Sequence, residues 1–269
     1  MKQSDWPRAS PSLDNRPMHT TAESSRPLRG PYDTVFVDIG ETVVHIHPPF
    51  LETVLAIAAD FGVRHPPDNF EQRATDIWRR DVTASRSRGH SITTSASSRY
   101  WHTHYARLGE ALGLPDPHDF SRALYQRFSS FEAYQPMPGA VEALRALNRM
   151  GLRVVAASNW EGWLGRLLAL LDLERFFAAQ VVSADIGAEK PDRLFFERGL
   201  AIAQADRPCV LHVGDSLDAD VNGALNAGID AVWVNPSVPA DAPVPVIASI
   251  AELPDLIRPH IAPVPWALP

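Results

Sequence analysis

The spacing of apolar positions along the chain predicts two kinds of structure. Residues 34–37 form a short, partly β-branched apolar run that is typical of a buried strand, and Gly40 marks a turn soon after it. Between residues 50 and 134, apolar side chains recur at helical spacing in three stretches instead. Prolines in the stretches HPPDN and LPDPHD separate these helices. The pattern therefore predicts an all-helical insert, with a Ser/Thr/Arg-rich loop at residues 83–98.

Beyond residue 136 the pattern alternates between helix and strand. The predicted elements are a helix at 140–150, a strand at 152–157, a helix at 163–171, a strand at 180–183, a helix at 194–203, a strand at 210–213, a helix at 221–227, a strand at 231–234, a strand at 244–248 and a helix at 250–257. Strands that alternate with helices predict a parallel sheet with helices on both faces. The expected fold class is α/β: a Rossmann-like, three-layer α/β/α core of five or six strands with an inserted all-helical cap domain.

These elements divide the chain into a core, an insert and two tails. The α/β core is expected at residues 31–46 and 136–258, and the helical insert, called the cap below, at residues 47–135. Residues 1–30 are rich in Ser, Pro and Arg and are predicted to be a disordered tail. Residues 259–269 form a Pro-rich C-terminal tail.

Composition and charge narrow the possible partners and the compartment. The apolar fraction of 45% is ordinary for a globular protein, and the formal net charge of −7 provides no general basic field for nucleic acid or an anionic membrane. No apolar stretch is long enough to span a bilayer, and no apolar segment follows the basic residues at the N-terminus as in a secretory signal. The single cysteine, Cys209, cannot form an internal disulfide. We therefore expect a cytoplasmic protein without nucleic-acid or membrane partners, and leave its oligomeric state open.

Candidate chemistry lies directly after the predicted strands, where ligands bind in sheets of this kind. The residues in question are Asp38, Gly40 and Thr42 after the first strand, Ser158 and Asn159 after the second, Lys190 after the third, and Asp215 and Asp220 after the fourth. Of 25 basic residues only Lys2 and Lys190 are lysines, so Lys190 is the one lysine of the predicted core.

The types of these residues fit phosphoryl transfer. Carboxylates at two strand ends are suited to Mg²⁺, which takes one or two carboxylates and keeps several waters. The Ser158 hydroxyl, turn amides and the Lys190 ammonium group are donors for a phosphate. When Mg²⁺ and these donors neutralise the charge of the phosphate, Asp38 is able to attack phosphorus in line and form an aspartyl-phosphate.

In order and context, these residues resemble the haloacid dehalogenase superfamily of hydrolases, over about residues 32–258. The stretch VFVDIGETVV resembles the family's first motif, VVAASN the second, EKPDRLFF the third and LHVGDSLDADVNGALNAG the fourth. The resemblance implies Asp38 as nucleophile and metal ligand, the Gly40 carbonyl and Asp215 as further metal ligands, and Ser158, Asn159 and Lys190 as phosphate-binding residues. It also implies supporting roles for Thr42 and Asp220, and a small helical cap that closes over the core site.

One position departs from the family pattern. Phosphatases of the family usually carry a second aspartate two residues after the nucleophile, where it exchanges protons with the leaving alcohol and water; Gly40 stands there in this chain. General acid–base catalysis commonly increases the rate by about 10²–10⁴-fold, so hydrolysis of esters with poor leaving groups is expected to be slow. Whether His45, His47 or Glu41 replaces the missing group is left open, with the two histidines as the working hypothesis.

The expected function is a Mg²⁺-dependent phosphatase acting on a small phosphomonoester, a small phosphorylated metabolite. The first alternative is a catalytically impaired protein that binds a phosphorylated ligand or a partner, as the Gly40 substitution suggests. The second is a metal-independent dehalogenase, although the namesake enzymes carry tyrosine where this chain has Gly40. The phosphonate-cleaving branch fits poorly, because it uses a cap lysine and this cap contains none.

Overall fold

The computed structural model of the chain describes residues 26–85 and 89–262. The strands are β1 (Thr34–Val37), β2 (Val44–Ile46), β3 (Tyr134–Pro136), β4 (Arg153–Ser158), β5 (Ala179–Val182), β6 (Val210–Gly214), β7 (Asp230–Val234) and β8 (Val246–Ile247). The α-helices are α1 (Phe50–Asp60), α2 (Phe70–Ser85), α3 (Thr94–Ala111), α4 (His118–Phe128), α5 (Ala140–Arg149), α6 (Leu164–Leu170), α7 (Ser183–Ile186), α8 (Arg193–Ala203), α9 (Gly223–Asn226) and α10 (Leu253–Ile257).

The core is a parallel sheet of six strands in the order β5-β4-β1-β6-β7-β8. Strand β1 lies in the middle, with Val37 opposite Ala156 on one side and Val213 on the other. Its side chains alternate between the two faces: Val35 and Val37 pack with α5, α6 and α10, and Phe36 packs with α8 and α9. Because both faces are covered, β1 is a continuous apolar run rather than an alternating one. The predicted α/β fold class is confirmed.

The cap is attached to the core through a two-stranded ribbon. Strands β2 and β3 pair antiparallel, with Val44 opposite Pro136 and Ile46 opposite Tyr134, and helices α1 to α4 lie between them in the chain. These helices have a hydrophobic core of their own, in which Leu108 is fully buried. The predicted boundaries between core and cap, near residues 46 and 136, fall in this ribbon and stay a prediction.

The segment predicted as a loop at residues 83–98 is partly helical, so this prediction was wrong at both ends. Helix α2 continues to Ser85, and α3 begins at Thr94. The Thr93 side chain accepts a hydrogen bond from the Ala96 amide and caps α3. Serine and threonine are weak helix formers but strong N-caps, which is why composition alone suggested a loop.

The helix predicted at residues 221–227 also differs, because it begins earlier and with a wider turn. A π-helical turn at Leu217–Asn222 precedes the short helix α9. The Ser216 side chain caps this turn, accepting from the Ala219 amide at 3.0 Å. This turn, which soon follows β6, contains the buried Asp220.

The ends of the described chain lie against the core. Within the predicted N-terminal tail, the Arg29 side chain pairs with Asp230 at 2.6 Å, so the contact with the core begins before residue 31. At the other end, Ile261 forms a bridge with Tyr32. The remainder of the two predicted tails, residues 1–25 and 263–269, lies outside the described residues. Among the described residues, no helix is long and apolar enough to cross a membrane.

Candidate active site

The predicted site residues meet at the carboxyl edge of the sheet. Asp38 directly follows β1 and donates its amide N–H to the Val213 carbonyl of β6 at 2.8 Å. Ser158 ends β4, and Asp215 directly follows β6. Because neighbouring parallel strands end at the same edge, residues far apart in the chain become neighbours here.

Lys190 is at the centre of this group. Its side chain is buried, and its ammonium group donates to Asp38 Oδ1 at 2.7 Å, Asp220 Oδ1 at 2.6 Å and the Ala157 carbonyl at 2.9 Å. All three ammonium hydrogens are therefore used. Burial lowers the pKa of Lys190, but the carboxylates of Asp220 and Asp38 outweigh burial and raise it above its ordinary value. The lysine is therefore held as a cation.

The two carboxylate oxygens of Asp38 differ in their hydrogen bonds. Its Oδ1 accepts from Ser158 Oγ at 3.0 Å and from Lys190, so both of these hydrogen bonds go to the same atom. Burial raises the pKa of Asp38, and the nearby Lys190 charge opposes that rise. Among the described residues, the second oxygen, Oδ2, makes no side-chain hydrogen bond, and the role of Asp38 as nucleophile stays a prediction.

Asp220 is fully engaged in hydrogen bonds. Its Oδ1 accepts from Lys190 and from His212 Nε2 at 2.8 Å, and its Oδ2 accepts from the Ser216 amide at 2.9 Å. A Cβ at Gly214 would lie 2.2 Å from the Asp220 carboxyl carbon, so this approach requires glycine. Burial raises the pKa of Asp220, but Lys190 and His212 outweigh burial and lower it. These contacts support the expected role of Asp220 as a residue that holds the loop and Lys190.

Asp215 differs from the other two carboxylates. Its Oδ2 is buried and has no hydrogen-bond partner among the described residues. Burial and the charges of Asp38 and Asp220 raise the pKa of Asp215 well above its ordinary value. A buried acceptor without a donor is costly, and a bound cation would offset that cost.

The carboxylates fit a divalent cation. One ligand atom each from Asp38, Asp215 and Asp220 lies within 4.8 Å of the others. We call these three residues and Lys190 the site cluster. Ionised, it has three negative charges and one positive charge, an excess of two that matches Mg²⁺. Since Asp220 already uses both oxygens, Asp38 and Asp215 are the side chains available to a metal ion, and oxygen ligands of this kind suit Mg²⁺.

Asn159 supports Lys190 through its backbone. Its side-chain oxygen accepts from the Lys190 amide at 2.8 Å, and its side-chain nitrogen donates to the Lys190 carbonyl at 2.9 Å. This pair of hydrogen bonds fixes the loop that carries the lysine. A contact of Asn159 with substrate stays a prediction.

Position 40, in the loop after Asp38, lies close to Trp160. A Cβ at Gly40 would lie 3.3 Å from Cζ3 of Trp160, so a side chain there would require the indole ring to shift slightly. Trp160 packs against Trp163 and Tyr134, at ring-centroid distances of 5.3 Å and 5.4 Å. The buried Thr42 hydroxyl beside this loop has no hydrogen-bond partner among the described residues, so its supporting role is not carried by such a bond.

The candidate replacements for the missing acid lie before, within and directly after β2. Glu41 has a positive φ of 54°. His45 lies in β2 opposite Gln135, and the His47 side chain, 6.2 Å from it between ring centroids, is exposed. A role in proton transfer for any of the three stays a prediction.

Sequence reasoning missed two core carboxylates that contact the cap, Glu161 and Glu189. Glu161 lies two residues after Asn159, and Glu189 immediately precedes Lys190. That position beside site residues was the signal available in the sequence. Their partners, at residues 90–97 and 125, were not visible there because they lie 36 to 99 residues away.

Comparison with known proteins agrees with this geometry. Residues 32–228 match the sequence profile of the haloacid dehalogenase-like hydrolases. Haloacid dehalogenase-like hydrolase domain-containing protein 3 of Xenopus laevis is 27% identical over 209 residues, which cover 75% of this chain and 84% of the relative. The pyrimidine 5'-nucleotidase PynA of Streptococcus pneumoniae is 34% identical over 137 residues, 50% of this chain and 57% of the relative. The HAD-hydrolase YfnB of Bacillus subtilis, solved bound to magnesium, shares the fold with a TM-score of 0.68 at 21% identity, over 85% of this chain and 99% of YfnB.

Proposed function

This chain belongs to the haloacid dehalogenase-like hydrolase family, and we propose that within the family it is a Mg²⁺-dependent phosphatase that acts on a small phosphomonoester. The observation that carries the proposal is the charge excess of the site cluster around Lys190. An uncompensated buried carboxylate lowers stability, and a divalent cation offsets that cost. Relatives named as pyrimidine 5'-nucleotidases and as a glyceraldehyde 3-phosphate phosphatase support the reaction class.

Each residue has a defined part in this reaction. When substrate binds, Ser158 and Lys190 redirect their hydrogen bonds from Asp38 Oδ1 to the phosphate oxygens. Asp38 Oδ2 then attacks phosphorus as the ester P–O bond breaks. The leaving alkoxide takes a proton from water or from a replacement acid. A water molecule then attacks phosphorus, the bond between phosphorus and Asp38 breaks, and phosphate and the Asp38 carboxylate are released. A bound Mg²⁺ would be held by Asp38, the Gly40 carbonyl and Asp215, and would supply neutralisation of the phosphate charge. Asn159 and Asp220 hold Lys190 in place throughout.

Gly40 sets the expected limit on the substrates. It has no side chain to protonate the leaving alcohol, and Trp160 occupies the space beside it. Without a replacement acid, esters with poor leaving groups lose about 10²–10⁴-fold in rate, whereas esters with good leaving groups lose little. The substrate range is therefore expected to favour activated esters unless another residue supplies the proton.

The site cluster and Gly40 also bear on two alternative functions, metal-free dehalogenation and binding without catalysis. The unpartnered Asp215 oxygen favours a metal-dependent reaction over metal-free dehalogenation. A solved 2-haloacid dehalogenase from Pseudomonas syringae is 21% identical with a TM-score of 0.57, a likeness that extends to the fold alone. A catalytically impaired binding protein remains the alternative that Gly40 motivates.

The test is phosphate release from a panel of small phosphomonoesters, including an activated aryl phosphate, with Mg²⁺ and with a chelator. Metal-dependent turnover of alkyl phosphates supports a phosphatase with a replacement acid. Turnover of the aryl ester alone supports a phosphatase limited by Gly40. Affinity for phosphorylated ligands without turnover supports the binding protein, and chelator-insensitive halide release from a 2-haloacid supports the dehalogenase.

The biological setting is proposed from the same reasoning. The partner is a small phosphorylated metabolite, and neither nucleic acid nor membrane is expected, given the net charge of −7. The cytoplasmic location inferred from the sequence stays a prediction.

A further inference from the structure

The cap is bound to the core by two carboxylates that lie outside the site cluster. Both come from core loops that also carry site residues, Glu161 from the loop of Ser158 and Asn159, and Glu189 from the loop of Lys190. We call Glu161 and Glu189 the latch carboxylates. Their contacts with the cap are made by donors on three different cap segments.

Glu161 joins the core to two cap helices. It is 7% exposed, and its Oε1 accepts from Ser97 Oγ of α3 at 2.7 Å. The Tyr125 hydroxyl of α4 lies 3.1 Å and 3.2 Å from its two oxygens. Within the core, Trp163 Nε1 donates to Oε2 at 3.0 Å. The buried carboxylate thus depends on the cap for most of its hydrogen bonds.

Glu189 binds the segment that leads into α3. Its carboxylate accepts from the amides of His90 at 3.0 Å and Ser91 at 2.6 Å, and from Ser91 Oγ at 2.6 Å. Burial raises the pKa of Glu189, but the donors of His90 and Ser91 outweigh burial and lower it to about 2. Hydrogen bonds to an ionised acceptor are among the stronger ones in proteins, so this contact holds the cap segment firmly.

Hydrogen bonds of an uncharged side chain reinforce the contact that Glu189 makes with the cap. The Ser183 hydroxyl is fully buried and lies 2.8 Å from Ser91 Oγ and 3.0 Å from the Ser91 carbonyl. The same hydroxyl accepts from the Trp160 amide at 3.0 Å. One serine therefore connects the cap segment to the residue that packs beside Gly40.

The latch carboxylates are coupled to the site through short covalent and hydrogen-bonded paths. Glu189 is bonded directly to Lys190, and Glu161 is separated from Asn159 only by Trp160. Asn159 and Lys190 are joined by the two side-chain-to-backbone hydrogen bonds described above. A cap that leaves these carboxylates releases both loops at once.

We propose that Glu161 and Glu189 are positioning residues, which bind the cap and thereby hold Asn159 and Lys190 in the arrangement that reacts. The kinetic part of this proposal rests on the proposed phosphatase function, whereas the structural part does not. Small misplacements of catalytic groups are costly in rate, so cap docking and turnover are coupled.

The experiment compares Glu161→Ala and Glu189→Ala with the neutral variants Glu161→Gln and Glu189→Gln. Glu197→Ala is the matched control, because Glu197 is a partly exposed carboxylate of α8 that pairs only with Arg193 among the described contacts. Tyr125→Phe is a second, milder variant, since it removes a single hydroxyl from Glu161 and preserves the ring packing. Circular dichroism and thermal melting establish that each variant is folded.

The first measurement is amide hydrogen exchange of peptides covering residues 89–97, which does not depend on activity. We expect exchange at least about tenfold faster in the two alanine variants, an intermediate effect in the glutamine and Tyr125→Phe variants, and no change in Glu197→Ala. The second measurement is steady-state phosphate release. We expect kcat to fall at least about tenfold in the alanine variants with KM changed less, and partial recovery in the glutamine variants.

The outcomes separate the two proposals. Unchanged exchange in the alanine variants overturns the latch, and faster exchange with unchanged kcat overturns the positioning role. A parent protein that releases no phosphate from any ester refutes the proposed function instead. In that case exchange at residues 89–97 decides the latch alone: faster exchange in the alanine variants than in the parent and in Glu197→Ala supports it, and equal exchange overturns it.

Discussion

Two buried ionic clusters, one in the cap and one in the core, differ in how their charges are balanced. In the cap, Asp81 is 3% exposed and accepts from His104 Nδ1 at 2.9 Å and from Arg107. In the core, three carboxylates of the site cluster face the single ammonium group of Lys190. The first cluster joins α2 to α3, and the second joins the ends of β1 and β6.

The pKa directions follow from this difference. Burial raises the pKa of Asp81, but His104, Arg107 and Arg80 outweigh burial and leave it below the ordinary value. Burial and the neighbouring carboxylates raise the pKa of Asp215 well above its ordinary value. The Asp81 carboxylate is thus compensated by cationic and hydrogen-bond donors of the cap, whereas the carboxylates of the site cluster have an excess of negative charge that a bound cation would compensate. The following changes test that distinction, in order of expected effect.

Replacing the attacking carboxylate affects function most. Asp38→Asn removes the nucleophile, so phosphate release is expected to fall by at least about a thousandfold. Its thermal stability is expected to stay the same or rise, because one of the crowded negative charges is gone. The matched control is Asp33→Asn, an exposed aspartate at the other end of β1, which is expected to keep full turnover. A variant of Asp38 with turnover within tenfold of the parent would contradict the assignment.

Removing the central cation is the largest expected effect on stability. Lys190→Met leaves the buried carboxylates uncompensated and is expected to lower the free energy of unfolding by about 3–5 kcal/mol. Arg107→Met in the cap is the comparison: the Arg107 side chain is 38% exposed, and solvent screening limits the loss to about 1 kcal/mol. Urea unfolding at neutral pH measures both. Equal losses would show that charge balance does not distinguish the clusters.

Adding Mg²⁺ is expected to stabilise the core cluster. At a hundredfold excess over its dissociation constant, a ligand that binds only the folded state adds about 2.7 kcal/mol. We expect this gain in the parent and in Asp81→Asn, and its loss in Asp215→Asn. Thermal unfolding with and without the ion provides the measurement. A gain that survives in Asp215→Asn would place the metal ion elsewhere.

The two clusters are expected to respond to pH with opposite signs in metal-free protein. Because the folded pKa of Asp81 is lowered, its stabilising contribution is present above the unfolded pKa of about 3.9 and is lost as pH falls through the folded pKa. Because the folded pKa of Asp215 is raised, its contribution is present below about 3.9 and is lost as pH rises through the folded pKa.

Two variants test these opposite pH dependences. At neutral pH, Asp81→Asn is expected to be less stable than the parent and Asp215→Asn more stable, each by about 1–2 kcal/mol, and both differences are expected to shrink in acid. Denaturant unfolding across pH measures them. The same sign for both variants at neutral pH would contradict the comparison.

The smallest expected effect comes from adding a carboxylate to the site. Gly40→Asp increases the charge excess and requires Trp160 to move, since a Cβ lies 3.3 Å from that ring, so we expect a loss of about 1 kcal/mol and no gain in turnover. Combining it with Trp160→Phe is expected to recover most of the stability, because the smaller ring vacates the space. Thermal melting and phosphate release measure both variants. A faster Gly40→Asp single variant would show that Trp160 does not exclude the side chain.

The sequence predicted the core well because its signals are local. Strand β1 has the predicted bounds, and β6 and β7 each differ by one residue, since a strand covered on both faces is a continuous apolar run. The site followed from the same pattern, because the ends of parallel strands meet at one edge. The ribbon of β2 and β3 was missed, since strands of three residues have too few positions to establish a period.

The sequence by itself determined the order of the elements, the α/β class and the residues placed at the strand ends, since each depends on backbone periodicity and residue type over a few positions. The tertiary structure alone decided which charges are paired. It placed both oxygens of Asp220 in hydrogen bonds, left Asp215 Oδ2 without one from any residue that the structure describes, and brought Glu161 and Glu189 to the cap. The physical reason is that these contacts join residues as many as about a hundred positions apart, and electrostatic pairing depends on distance and burial in the packed fold.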